Sequence, residues 1–364
     1  MSLAAGVATV TVIAHVNLAK GFRGGERQTE ILVRGLSGRD WSQVVVGRRG
    51  EPLAEKLAGL PGVEVRPVPN NPVSAARATA GADLVHVHEG RAGQAGLLAN
   101  LFAGRPYLVT RRIPQAPSGR PATRLLYRRA RHIACVSEAI REAMEAYVPG
   151  VPKSCIHSAV ARLPADPDRV AALRARWAGR VVAGNVGALV DKHKGQGVLI
   201  EAARRLQGSH PQVLFVLVGA GRDEAELREL AADLPNVVFE GWQQDVGAYL
   251  AAFDMLAFPS REEGLGSSVL DAMYFVLPVV ASRVGGLPEI VADGETGRLV
   301  PPGDPAALAD AVAGLAMDED LRRRLGEAGR ARAAAFSPEA MVGAYDRLYR
   351  NLLGRDTGDA GAGR

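Results

Sequence analysis

Short runs of valine, leucine, isoleucine and alanine alternate along most of the chain with stretches whose apolar residues recur at helical spacing. Runs apolar on both faces suit strands covered by helices on either side, so the pattern predicts α/β architecture with parallel sheets. In the first half it predicts strands over 7–16, 43–46, 82–86, 107–109 and 133–137. Helices over 26–35, 94–103, 122–131 and 138–147 fall between them, the last capped by Ser137. The alternation stops across the proline-rich stretch 149–167, which reads as a linker, and then restarts. The second half carries predicted strands over 180–186, 213–218, 237–240, 255–258 and 279–282, with helices over 197–206, 224–232, 246–252 and 267–275. Helices over 305–316, 318–335 and 338–353 close the pattern, and the Gly/Asp-rich end, 354–364, is expected to be disordered. The chain therefore divides into domains over 1–160 and 161–336, a last helix over 337–353 and a tail.

Candidate chemistry concentrates where predicted strands hand over to helices. Behind the strand ending at Phe258 comes a charged turn, Arg261-Glu262-Glu263, and then Gly264-Leu265-Gly266-Ser267-Ser268, which opens a helix. Free backbone N–H groups and the partial positive charge at such a helix start suit a phosphate or a hydroxylated ligand. Asp271 lies roughly two turns beyond Glu263, so both carboxylates can border one site. Glu263 as a plain cap and Asp271 as an exposed charge is the competing structural reading. The loop from Gly187 to Gly195 places Lys194 ahead of another helix, where an ammonium beside helix-end amides stabilises a pyrophosphate. Gly219 ends a further buried strand in the same manner.

The first strand ends in a glycine turn containing Gly24 and Gly25. GFRGG is not GxGxxG, and the second strand ends in Gly47-Arg48-Arg49 with no acid to hold a ribose hydroxyl, which argues against NAD. His88 stands at a strand's carboxyl end, and no neighbouring residues complete a zinc spacing, so a hydrogen-bonding wall residue is the economical role and no metal is expected. Asp166-Pro167-Asp168 spells DxD inside a proline-filled linker, a poor place for a metal.

Composition narrows the setting. The chain of 364 residues is long enough for two cores, and its net charge of +5 is modest. Two cysteines, Cys135 and Cys155, stand outside any CxxC spacing, which fits a reducing, cytoplasmic compartment. The N-terminus lacks the basic start and cleavage site of a signal peptide, and no uninterrupted apolar run has membrane-spanning length. Arg120, Arg124, Arg128, Arg129, Arg131 and His132 flank Leu125, Leu126 and Tyr127. That basic amphipathic surface suits anionic headgroups or an acidic substrate, and equally a solvated arginine face. Sparse aromatics and the lack of a binding motif argue against nucleic acid.

Taken together, Gly21-Gly24-Gly25, Lys194-Gly195, EGLGSSVLDAM, Gly285-Gly286-Leu287-Pro288-Glu289 and the trailing GxxxPxGD run resemble family-four retaining glycosyltransferases of the GT-B type, above all bacterial lipopolysaccharide-core transferases. The resemblance implies two Rossmann-like doubly wound domains facing a cleft, the N-terminal one for the acceptor and the C-terminal one for the nucleotide-sugar. It implies a last helix crossing back to the first domain and no metal or other cofactor. By position, Lys194 would neutralise the diphosphate leaving group and Glu263 would contact sugar hydroxyls. The backbone around Leu265–Ser268 would lie near sugar and phosphate, and Asp271 would stand where the family uses a ribose-binding glutamate. The family's arginine ahead of the lysine is Ala188 here, partly answered by Lys192, and its histidine after the first-domain strand is Arg112. A UDP-sugar donor, a cell-envelope glycan or glycolipid acceptor and contact with the cytoplasmic face of an anionic inner membrane are what it implies. A sugar-nucleotide 2-epimerase and a non-catalytic partner subunit are the competing readings.

Overall fold

The computed structural model describes residues 11–355. Residues 7–10 of the expected first strand and residues 356–364 of the expected disordered tail lie outside the described residues. The chain forms two units, one comprising the segments up to Val136, Ile140–His157 and from Pro338, the other Ser137–Ala139 and Ser158–Ser337.

The first unit is built on a seven-stranded parallel sheet. Its strands are β1 (Thr11–Asn17), β2 (Trp41–Arg48), β3 (Val63–Val68), β4 (Leu84–Val87), β5 (Tyr107–Arg111), β6 (His132–Cys135) and β7 (Lys153–Cys155), in the order β3-β2-β1-β4-β5-β6-β7. Because the order reverses between β1 and β4, their two outgoing loops diverge and leave a crevice at the carboxyl edge. Parallel pairing sets His15 of β1 level with His86 of β4. The sequence pattern missed β3, whose VEVRPV lies at a sheet edge with only Val68 buried. It also read β7 as linker, because three residues carry no periodicity to detect.

The second unit has six parallel strands: β8 (Val181–Val186), β9 (Val213–Val218), β10 (Val237–Gly241), β11 (Met255–Phe258), β12 (Val279–Ser282) and β13 (Gly297–Val300). Their order, β10-β9-β8-β11-β12-β13, places the reversal between β8 and β11. Phe215, Leu217 and Val280 of the sheet are buried against Leu199, Ile200, Leu308 and Val312 of its covering helices. The expected doubly wound α/β architecture holds in both units. Asp166 and Asp168, the apparent metal signature, serve a helix start: Asp166 Oδ1 accepts the Asp168 amide at 3.0 Å and Pro167 is the first residue of the helix Pro167–Arg176.

The last helix, Pro338–Leu352, belongs to the first unit and packs on the helix Gly24–Leu36. Gly35 permits the approach, since a Cβ there would sit 2.4 Å from Val342 Cγ2. Trp41 Nε1 donates to Asp346 at 2.5 Å, and the fully buried Tyr349 pairs through its hydroxyl with His86 Nδ1 at 2.6 Å. Among the described residues no helix is long and apolar enough to cross a membrane.

Candidate functional site

The loops leaving β8 and β11 border the reversal of the second sheet; the first carries Lys192 and Lys194 and the second Glu263, all singled out from the sequence. The loop after β8 folds into one helical turn, Asp191–Lys194, before Gly195 starts the helix Gln196–Leu206. Asp191 Oδ1 accepts the Gly197 amide at 2.6 Å and so closes the turn. The loop after β11 runs alongside. The amides of Arg261 and Glu262 donate to the His193 carbonyl at 2.8 and 3.2 Å, and His193 Nδ1 pairs with Glu262 Oε2 at 2.6 Å.

This stitching brings Lys194 Nζ to 2.6 Å from Glu263 Oε2. The lysine also lies over the Phe258 ring, 5.4 Å from its centroid. Glu263 Oε1 accepts the Gly264 amide at 3.2 Å, which fixes the carboxylate's orientation. The two side chains are 28% and 14% exposed, so the pair is screened yet reachable from solvent. Two glycines make the approach possible. Gly195 has φ +67° and a Cβ there would meet the Pro259 carbonyl at 2.1 Å. Gly285 has φ +52° and its Cβ would meet the Glu263 carbonyl at 1.8 Å.

The remaining second-unit candidates gather at the same edge. Gly187 follows β8 and Gly219 follows β9, the Gly187 amide donating to the Val218 carbonyl at 3.0 Å. Gly264 and Leu265 are buried, Gly266 caps the helix Ser267–Tyr274, and Ser267 and Ser268 begin it half-buried. Asp271 sits further along the helix, and its Oδ1 accepts the Ala161 amide at 2.8 Å, a tie to the segment that enters the unit. Lys192 is exposed on the turn that carries Lys194.

The first-unit candidates lie at the carboxyl edge of its own sheet. Gly24 and Gly25 open a helix whose Glu26 carboxylate accepts the Arg23 amide at 2.9 Å. Arg112 follows β5 and passes within 3.8 Å of the position a Gly25 Cβ would take. Burial lowers the Arg112 guanidinium from its usual range, with Tyr345 and Glu26 acting in the opposite direction. His88 is buried, and its Nε2 lies 3.1 Å from His15 Nδ1.

Sequence reasoning missed His15 and His86. With His88 they form a cluster in which one ring nitrogen of each lies within 4.8 Å of the others, a set chemically able to hold a metal. His86 spends both nitrogens on hydroxyls, Tyr349 at 2.6 Å and Thr110 at 2.6 Å. Burial lowers His15 to about 3. It also takes His86 and His88 well below the ordinary histidine value, assisted by the neighbouring rings and Arg112. We therefore read the cluster as a neutral packed network beneath the last helix. The HVH spacing put His86 and His88 on one face of a strand; His15 joined them through a register that no local pattern encodes.

Residues 23–159 match the Glycosyl transferase 4-like domain, and residues 180–318 match Glycosyl transferases group 1. The chain belongs to the family-four glycosyltransferases. Among curated relatives of this chain, the D-inositol 3-phosphate glycosyltransferase of Corynebacterium jeikeium is 38% identical over 184 residues, 47% of this chain and 43% of the relative. The lipopolysaccharide core biosynthesis glycosyltransferase LpsE of Rhizobium meliloti is 38% identical over 168 residues, 45% of this chain and 48% of the relative. The alignment thus spans about half the length of the curated relatives it matches. Anabaena HepE, solved in complex with UDP-glucose, superposes with a TM-score of 0.82 at 22% identity over 93% of this chain and 99% of HepE. At that identity the likeness establishes the fold, two Rossmann-like domains of the GT-B type.

Proposed function

We propose that this glycosyltransferase moves a hexose-type sugar, with retention and without a metal, from a UDP-sugar to a hydroxyl of a cell-envelope glycan such as lipopolysaccharide core. The observation that carries the reading is the contact of Lys194 with Glu263 at 2.6 Å, at the strand reversal of the second sheet. Breaking the bond between the anomeric carbon and the β-phosphate oxygen places negative charge on the diphosphate. Lys194 and the amides at the start of the helix Ser267–Tyr274 answer that charge as it grows. Glu263 contacts sugar hydroxyls, and Asp271 serves the nucleotide's ribose. The acceptor oxygen bonds to the anomeric carbon on the face the diphosphate leaves, and its proton passes to the departing phosphate oxygen. No enzymic nucleophile or general base is assigned.

His88 and Arg112 are proposed acceptor or donor contacts of the first unit, and Lys192 a supplementary cation. The lipopolysaccharide-core role of LpsE and the UDP-glucose complex of HepE support a cell-envelope acceptor and a UDP-sugar donor. The D-inositol 3-phosphate relative shows that acceptors differ among similar chains. Peripheral contact with the cytoplasmic face of an anionic membrane completes the reading.

The test is UDP release from a panel of UDP- and GDP-sugars, with and without lipopolysaccharide-core acceptor. Acceptor-dependent release that survives EDTA and falls about 100-fold or more in Lys194→Ala is expected. Full activity in that variant, or loss with EDTA, overturns the reading. Interconversion of a free UDP-sugar without acceptor identifies an epimerase.

A further inference from the structure

We propose that Cys135 and Cys155 form a thiol–disulfide site, oxidised by hydroperoxides and closed by a bond between β6 and β7. They are the chain's two cysteines, both carry thiols in the structure, and both belong to the first unit. Although the helix Glu138–Tyr147 separates them in sequence, they are Cα partners in the parallel pairing of β6 with β7. The Ile156 amide donates to the Cys135 carbonyl at 2.8 Å and fixes that register. Side chains alternate along a strand. His132 and Ser154, joined at 2.8 Å, mark one face of the strand pair, and Cys135 and Cys155 stand together on the other.

A second observation places both sulfurs beside one group, the Tyr345 hydroxyl on the last helix. Burial raises that hydroxyl above its ordinary range, Arg112 and the bond to Thr110 oppose the rise, and Cys135 and Cys155 both add to it. Neighbouring strands run about 4.8 Å apart, and a disulfide accepts Cα atoms about 4.4–6.8 Å apart. The two Cβ atoms must still approach a little. β7 is three residues long and ends the sheet, so the segment that has to move is held from one side only.

The two thiols differ in access and in neighbours. Cys155 is half-buried and its sulfur lies 3.5 Å from His157 Nε2, whereas Cys135 is fully buried. With Nε2 as the unprotonated ring nitrogen, His157 takes the Cys155 thiol proton and leaves the reactive thiolate. The thiolate attacks one oxygen of a hydroperoxide and the O–O bond breaks. Cys155 becomes a sulfenic acid, and the departing oxygen takes the proton from His157 and leaves as water or an alcohol. The Cys135 sulfur then attacks the Cys155 sulfur and displaces its hydroxyl, which departs as water with the Cys135 proton. Together the sulfurs lose two electrons and the peroxide gains them. A small thiol reverses the bond by exchange, as for the transient disulfides of reducing compartments.

Hydrogen peroxide added to the whole, reduced protein tests the site. Trypsin separates the cysteines into residues 132–141 and 154–162. Mass spectrometry should find these two peptides joined, with two hydrogens lost, and dithiothreitol should release them. In Cys135→Ala, Cys155 should accumulate as a sulfenic acid that dimedone labels; in Cys155→Ala, Cys135 should stay unlabelled. His157→Gln should slow the loss of thiols severalfold at neutral pH while the peptides still join in the end. Peptide mapping of the unaltered protein decides the site whether or not the variants fold. Sulfinic acid at Cys155 with no joined peptide overturns the proposal. So does a disulfide between two copies on a non-reducing gel, or joining that occurs only in urea. An unchanged rate in His157→Gln overturns the part given to His157.

Discussion

At the scale of single residues, the candidate site depends on backbone approaches that leave no room for a side chain. Gly195→Ala and Gly285→Ala combine a left-handed φ with collision against a carbonyl, and each should cost about 2–4 kcal/mol or displace the loop. Gly187→Ala meets nothing within 4 Å and should change stability by less than about 1 kcal/mol. Urea titration of the three variants checks both statements. The histidine cluster gives a pH dependence with a definite sign. His15, His86 and His88 are held neutral in the fold, their values depressed by burial and, for the latter two, by neighbouring rings and Arg112. The unfolded chain takes up protons near pH 6.5, where the folded chain does not. Stability is therefore full above that pH and falls as pH drops toward the folded value, about 3 for His15. Below about pH 6 the loss should grow steadily as the pH is lowered. Denaturation at pH 7.5 and 5 should show the loss, and His88→Asn should flatten it. Lys194 and Glu263 were legible as separate turn residues because their glycine and helix-start surroundings are local features. The His193–Glu262 pair was not, since both residues are ordinary polar loop positions until β8 and β11 are placed side by side.

At the scale of elements, the helices of ten or more residues were readable from their periodicity except Pro167–Arg176, and the buried strands were readable from their apolar runs. The misses were β3 at an edge, β7 in the proline-rich stretch, the helix Pro167–Arg176 that follows it, the short helices Pro52–Leu57 and Pro72–Ala78, and the single turns Asp191–Lys194 and Leu287–Ile290. The packing of the last helix on the helix Gly24–Leu36 was legible only as what a family resemblance implied, because it joins positions far apart in sequence. Its energetics can be isolated at Gly35, where an added methyl has no space beside Val342. Gly35→Ala should destabilise the first unit by about 1–3 kcal/mol, and Val342→Ala in the same chain should recover part of that loss. A double-mutant cycle by thermal or urea unfolding measures the coupling; strict additivity would show that the helices do not press on each other there.

At the scale of the whole molecule, the two units differ in how the chain supplies them. The second is almost one continuous segment, Ser158–Ser337, with its own sheet and core, whereas the first needs its last helix returned from beyond that segment. A fragment of residues 158–337 should therefore melt cooperatively and bind UDP. A fragment of residues 11–157 should lack a sharp transition, since the partners of His86 and Trp41 on the last helix are missing. Calorimetry of both fragments decides. The closed contact between Lys194 and Glu263 has one more consequence under the proposed chemistry. An incoming nucleotide must take the ammonium away from its resting companion, and spent UDP leaves behind a lysine that the same carboxylate reclaims. Affinity is thereby traded for turnover, so that Glu263→Gln should hold UDP more tightly while completing fewer cycles, and the product itself should become the stronger inhibitor.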